Sequence, residues 1–143
     1  SDRELGAGAI GSYVHSTHEV AALVQLSCET DFFAMNQDFV ALAREIAMHV
    51  AAQNPLYIQR VEVSEEALQK AKDVFKEEVK DKPAEMQEKI LAGKLDAYFK
   101  DRILMEQPFI KDQEKTISDL INTAIQKFGE NIVVTSVSRL SIK

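Results

Sequence analysis

The stretch Val20-Ala21-Ala22-Leu23-Val24-Gln25-Leu26-Ser27-Cys28, running into Glu29-Thr30-Asp31-Phe32-Phe33, decides how the rest of the chain is read. A short apolar run rich in β-favouring residues and bounded by polar clusters reads as a strand. On a pleated strand Ala22, Val24, Leu26 and Cys28 share one face and Ala21, Leu23, Gln25 and Ser27 the other. Both faces are fairly apolar, which predicts a central strand covered on at least part of each side. Upstream, Ala9 to His15 has similar composition, and the polar segment Ser16-Thr17-His18-Glu19 joins the two runs as a hairpin.

Downstream, the turn at residues 29–33 leads into a helix. Phe39, Leu42, Ala43, Ile46 and Val50 form an unbroken apolar stripe at helical spacing. Asn54-Pro55 ends it, because proline disfavours the helical conformation of the residue before it. Ser64 caps a second helix, with Glu65 and Glu66 where the positive end of the helix dipole favours acids. Leu68, Ala71, Phe75 and Val79 mark its expected buried edge. Pro83 is expected as the first residue of a third helix, whose stripe contains Met86, Ile90, Leu95, Tyr98, Phe99 and Ile103. These two helices predict an antiparallel hairpin, joined at residues 80–83 and projecting from the core, since each has a narrow apolar edge and wide charged flanks.

Gln107-Pro108-Phe109-Ile110 reads as extended. Thr116-Ile117-Ser118-Asp119 opens a last helix in capping-box style, Gly129 stands where a left-handed C-cap belongs, and a strand follows from Ile132 to Ile142. The element order predicts an α+β fold: a small antiparallel β-sheet, made of the hairpin and the C-terminal strand, packed on helices. One domain spans residues 1–143, with the helical hairpin at about 64–104.

The whole chain of 143 residues carries 17 basic and 23 acidic side chains, a formal charge of −6, which argues against nucleic acid as the main partner. Residues 62–102 hold half of the charged residues with the signs mixed, the pattern of a solvated helical face and not of a single-sign patch. The start, Ser1-Asp2-Arg3-Glu4, lacks a secretory pattern, and no apolar run approaches the ~20 residues of a membrane span, so a cytoplasmic protein with no membrane partner is expected.

Chemistry finds little purchase. His15, His18 and His49 have no metal-ligand spacing, so no metal or other cofactor is expected. The single cysteine, Cys28, lies on an apolar strand face where a cysteine is usually a small buried hydrophobe; an enzyme built on Cys28 and a histidine is the competing reading. No phosphate-binding, dinucleotide or nucleophile-elbow motif occurs, and a catalytic acid, base or small-molecule substrate has no support. The adjacent rings of Phe32 and Phe33 leave two readings open. Either Asp31 caps the following helix and both rings pack, or one ring faces solvent as an aromatic anchor of the kind that dominates protein–protein binding.

Cys28-Glu29-Thr30-Asp31-Phe32-Phe33-Ala34, with Asn36 after it, resembles the CETDFVA.N signature of the translation elongation factor Ts family. Four further segments match in order. Gly11-Ser12-Tyr13-Val14-His15 resembles the family's GSY.H strand and Ile46-Ala47-Met48-His49-Val50 its IAMHI helix. Gln107-Pro108-Phe109-Ile110 resembles QPFV, and Gly129-Glu130-Asn131-Ile132 resembles GENI. The fourth residue of the TDFV motif is Phe33 in place of valine, and the small N-terminal helical domain of the family has no counterpart, so the resemblance implies the core, or dimerisation, region.

What the resemblance implies is a guanine-nucleotide exchange factor for elongation factor Tu and not an enzyme. The loop Thr30, Asp31, Phe32 and Phe33 would bind that partner beside its magnesium site and promote GDP release by displacing magnesium. His15 would contact a second surface of elongation factor Tu, and Phe128 and Gly129 its nucleotide domain near the wedge; completing the core stripe of the last helix is the competing role for Phe128. Some members carry two diverged copies of the core, with the TDF motif on one and GSY.H on the other. Both motifs here lie on one copy, which points to a homodimer. An inert dimerisation module, lacking exchange activity on its own, is the alternative.

Overall fold

The computed structural model describes residues 5–143, so Ser1 to Glu4, and what their sequence says of secretion and of the domain's start, lie outside the described residues. In chain order the elements are β1 (Ala7–Val14), β2 (Val20–Cys28), α1 (Asp31–Ala34), α2 (Gln37–Gln53), α3 (Glu65–Val79) and α4 (Ala84–Lys100), followed by β3 (Pro108–Phe109), β4 (Asp112–Thr116), α5 (Ile117–Phe128) and β5 (Ile132–Ser141). The main sheet is antiparallel with order β1-β2-β5, which puts β2 in the centre as its composition predicts, and the fold is α+β.

Alternation along β2 sorts the layers. Ala22, Val24, Leu26 and Cys28 are buried beneath the helices. They share one core with Phe39, Ala43, Ile46, Ala47 and Val50 of α2 and with Ile117 and Ile121 of α5. The opposite face is less covered than expected. Ser27 is buried, its hydroxyl 2.8 Å from that of Thr135, but Leu23 is half exposed and Ile10, Val14 and Leu140 more so. Gly11 explains how closely α2 lies on β1: a Cβ there would sit 2.2 Å from the backbone carbonyl of Ala43.

α3 and α4 form the antiparallel hairpin. Phe75 meets Tyr98 edge-on at 5.6 Å, Glu78 pairs with Lys94 at 3.2 Å, and Gln87 closes the turn on the carbonyls of Lys80 and Lys82. Only Val79 of α3 is buried, so the pair stands away from the core. Two expectations need correction. Leu68 is exposed, while Ala71 and Phe75 of the same edge are partly covered. Pro83 is the N-cap of α4, with extended ψ of 139°, and not its first helical residue. The hairpin's root is stitched to the segment after α2, with Leu56 and Tyr57 donating to the carbonyl of Arg102 and Leu104 donating to that of Tyr57. Arg60 adds a two-pronged bond to Glu106 at 2.9 and 2.7 Å, which raises the Arg60 pKa and lowers that of Glu106.

β3 lies within the segment read as extended, whereas its partner β4 is a strand that sequence patterning does not anticipate. β4 leads directly into α5, whose Thr116–Asp119 capping box and left-handed Gly129 cap (φ 68°) match expectation. Among the described residues, no helix is long and apolar enough to cross a membrane.

Candidate functional site

α1 separates the two phenylalanines. It is four residues long, and consecutive helical side chains diverge by about 100°. Phe32 is 87% exposed while Phe33 is 6% exposed, so one ring faces solvent and only the other packs. The Phe33 ring packs 4.9 Å from Phe39 and 5.0 Å from Phe128, in tilted arrangements favourable for aromatic pairs. Met35, also exposed, extends the apolar tip at the end of α1.

Asp31 does not cap the following helix, as one of the two readings had it: the segment read as a turn contains the short α1, capped by Thr30, and α2 has its own cap. Thr30 has the extended backbone of an N-cap, and its Oγ1 accepts from the Phe33 N–H at 3.1 Å. Asp31 is instead the first helical residue, with an exposed side chain. Asn36 then caps α2, its Oδ1 accepting from the Asp38 and Phe39 amides. Two caps within a few residues fix both ends of the tip.

Glu130, just past the left-handed turn at Gly129, reaches across to this loop. Its Oε1 accepts from the Glu29 N–H at 3.1 Å and the Thr30 N–H at 3.3 Å, and its Oε2 accepts from the Thr30 hydroxyl at 2.5 Å. In return the Asn131 N–H donates to Glu29 Oε1 at 3.2 Å. The fold thus gathers Thr30, Asp31, Phe32, Phe33, Phe128 and Gly129 into one place. Phe128 is half-buried against Phe33, so it completes the core stripe while lying at the loop. Neither Glu130 nor Glu29 was identified from sequence as part of this arrangement, because their bonds join residues about a hundred positions apart.

His15 lies elsewhere. It sits exposed beyond β1, its Nδ1 3.0 Å from the Tyr13 hydroxyl, at the end of β2 opposite to Cys28. The nine residues of β2 separate the two ends by roughly 27 Å. His18 occupies the hairpin turn with φ 62°. His49 is fully buried. Its Nδ1 accepts from the Ile110 N–H at 3.3 Å, so Nε2 carries the proton and donates to Gln107 Oε1 at 2.9 Å; Gln107 in turn donates to the Asp101 carbonyl at 2.7 Å. Burial lowers the His49 pKa, opposed by the Gln107 bond.

Cys28 is sealed, and its thiol donates to the Thr30 carbonyl at 3.4 Å. Burial raises its pKa, with the Glu130, Asp31 and Glu29 carboxylates adding to the effect. These are the surroundings of a structural thiol and the reverse of what activates a nucleophile. Among the described residues, no three of His, Cys, Asp and Glu converge to hold a metal ion.

Fold and site together define an α+β domain that carries an exposed aromatic tip held at both ends. Residues 3–142 match the family model described as Elongation factor TS. Proteins named Elongation factor Ts are similar along almost the full chain. The one from Thermodesulfovibrio yellowstonii is 44% identical, covering 99% of this chain and 71% of its own length. Those from Thermosipho melanesiensis (43% identical, 99% of this chain, 74% of its own length) and Fervidobacterium nodosum (45%, 98% and 72%) agree. The chain belongs to the elongation factor Ts family.

Proposed function

We propose that this chain is a guanine-nucleotide exchange factor for elongation factor Tu, acting through the Thr30–Phe33 loop. The observation that carries the reading is Phe32, 87% exposed on a tip whose backbone is capped and hydrogen-bonded. On an ordered backbone a phenylalanine has only its own side-chain torsions to lose on docking, so it suits insertion between the helices of a nucleotide-binding partner. Asp31, beside it and exposed, brings a carboxylate to the groups that hold magnesium. Phe33 supports the tip from beneath.

The mechanism is linkage and not bond chemistry. A wedge that fits only the magnesium-free arrangement weakens GDP binding, and bound GDP weakens the wedge by the same factor. A coupling of about 4 kcal/mol would correspond to a thousandfold loss of nucleotide affinity. Phe128 and Gly129 lie where they can touch the partner beside the wedge. His15, at the far end of β2, serves a second surface.

The chain acts as the core region of its family and as a homodimer. The exposed aliphatic side chains on the helix-free sheet face support a second copy there. A dimer presents the Phe32 loop of one copy and His15 of the other to one partner.

Release of fluorescent GDP from elongation factor Tu tests this reading. Added chain should accelerate release, excess magnesium should oppose it, and Phe32→Ala should remove most of the acceleration while changing stability by no more than about 1 kcal/mol. Unaltered release with the parent chain would leave only a dimerisation module.

A further inference from the structure

Three donors crowd the junction between β2 and α1: the Glu29 N–H, the Thr30 N–H and the Thr30 hydroxyl. The last pairing of β2 is at Cys28 and α1 begins at Asp31, so neither amide belongs to a regular element. An ionised carboxylate only accepts hydrogen bonds, and Glu130 takes all three donors on its two oxygens. The Thr30 hydroxyl gives its proton to Glu130 while its oxygen accepts from the Phe33 N–H and caps α1, whose turn the Ala34 N–H closes on the Thr30 carbonyl. A single helical turn does not persist by itself, so α1 depends on its ends.

We propose that Glu130 is a positioning residue for exchange: it touches neither nucleotide nor wedge, but through Thr30 it sets the direction in which α1 aims Phe32. The inference rests on the wedge reading above. Phe32 has almost no side-chain packing of its own, so its direction is that of the backbone beneath it. Losing the clamp leaves the wedge chemically intact but unordered before docking, and the ordering cost falls on association.

The test is GDP release from elongation factor Tu at increasing concentrations of the chain, with Phe32→Ala in parallel. Glu130→Ala is expected to raise the half-saturating concentration about tenfold while leaving the saturating rate near that of the parent. Glu130→Gln, which keeps one oxygen for the two amides, should lose less. Thr30→Val, which removes the hydroxyl's bond to Glu130 together with its cap on the Phe33 N–H, should also raise the half-saturating concentration, and the double variant should lose less than the sum of the singles, since the two side chains are bonded to each other. Amide hydrogen exchange at Glu29, Thr30 and Phe33 should accelerate in Glu130→Ala.

Parental half-saturation in Glu130→Ala beside an inactive Phe32→Ala would overturn the positioning role and leave the wedge standing. A parental Phe32→Ala would remove the wedge and this inference with it. If Glu130→Ala fails to fold, Glu130→Gln carries the test. Losses that add in the double variant and track a falling melting temperature would make Glu130 merely structural.

Discussion

Phe32 and Phe33 are the same side chain one position apart, and a single helical turn gives them opposite fates. Adjacency left open whether both rings pack or one faces solvent; the resemblance pointed to Phe32, and the structure exposes it on the turn that Thr30 caps. Phe33→Ala should destabilise the fold by about 3 kcal/mol or more, because it empties the contact between Phe39 and Phe128. Chemical denaturation measures this, and exchange should fall with it as the tip loses its floor. His49 offers a second check. Its native pKa is lowered, so the unfolded chain binds the proton more readily. Its contribution to stability is therefore complete above about pH 6.5, the value for an unstructured histidine, and is lost as the pH falls toward the lower native value. Urea midpoints should drop between pH 8 and pH 5.5, and His49→Gln should flatten that part of the profile. An equal slope in the variant would assign the dependence to other groups.

Elements with their own apolar pattern were legible, β5 among them although its partner β2 lies more than a hundred residues away, and pairings that leave no such pattern were not. The stripes of α2 and α5, the Ser64 and Thr116 caps, and the hairpin of β1 and β2 are all written in local spacing. β4 has the sequence Asp112-Gln113-Glu114-Lys115-Thr116, with no apolar alternation, and is a strand only because β3 pairs with it. The Glu130 clamp is hidden for the same reason, since one acid beside a turn carries no mark of the amides it will meet. Gly11 lies between these cases: the sequence shows a glycine in a strand, and only the packing says why. A methyl group there would strike the α2 backbone, which cannot rotate away as a side chain can. Gly11→Ala should therefore destabilise by the upper end of the ~1–3 kcal/mol typical of overpacking, with the melting temperature as the readout. A variant as stable as the parent would mean that α2 shifts freely on the sheet.

At the scale of the whole molecule, the sheet has one face too apolar for water. An antiparallel sheet with one solvated face normally puts polar side chains outward, yet Ile10, Val14, Leu23 and Leu140 take outward positions on three adjoining strands. A two-fold contact uses the same patch on both copies, so this face can cover itself without any other partner. Static light scattering at about 10 μM should give twice the chain's mass, given usual interface affinities. Leu23→Asp, at the middle of the central strand, should give a monomer with unchanged circular dichroism, since Leu23 lies outside the core between sheet and helices. The consequence for exchange follows from distance. The Phe32 loop and His15 sit at opposite ends of β2, roughly 27 Å apart on one chain. A partner gripping the loop of one copy and His15 of the other loses the second contact when the dimer is split. The Leu23→Asp monomer should thus need a higher concentration for half-maximal GDP release, while its wedge still works at saturation. In that background His15→Ala should add little, whereas in the parent it should raise the half-saturating concentration. A monomeric parent, or a His15→Ala effect of equal size in both backgrounds, would place both contacts on a single copy.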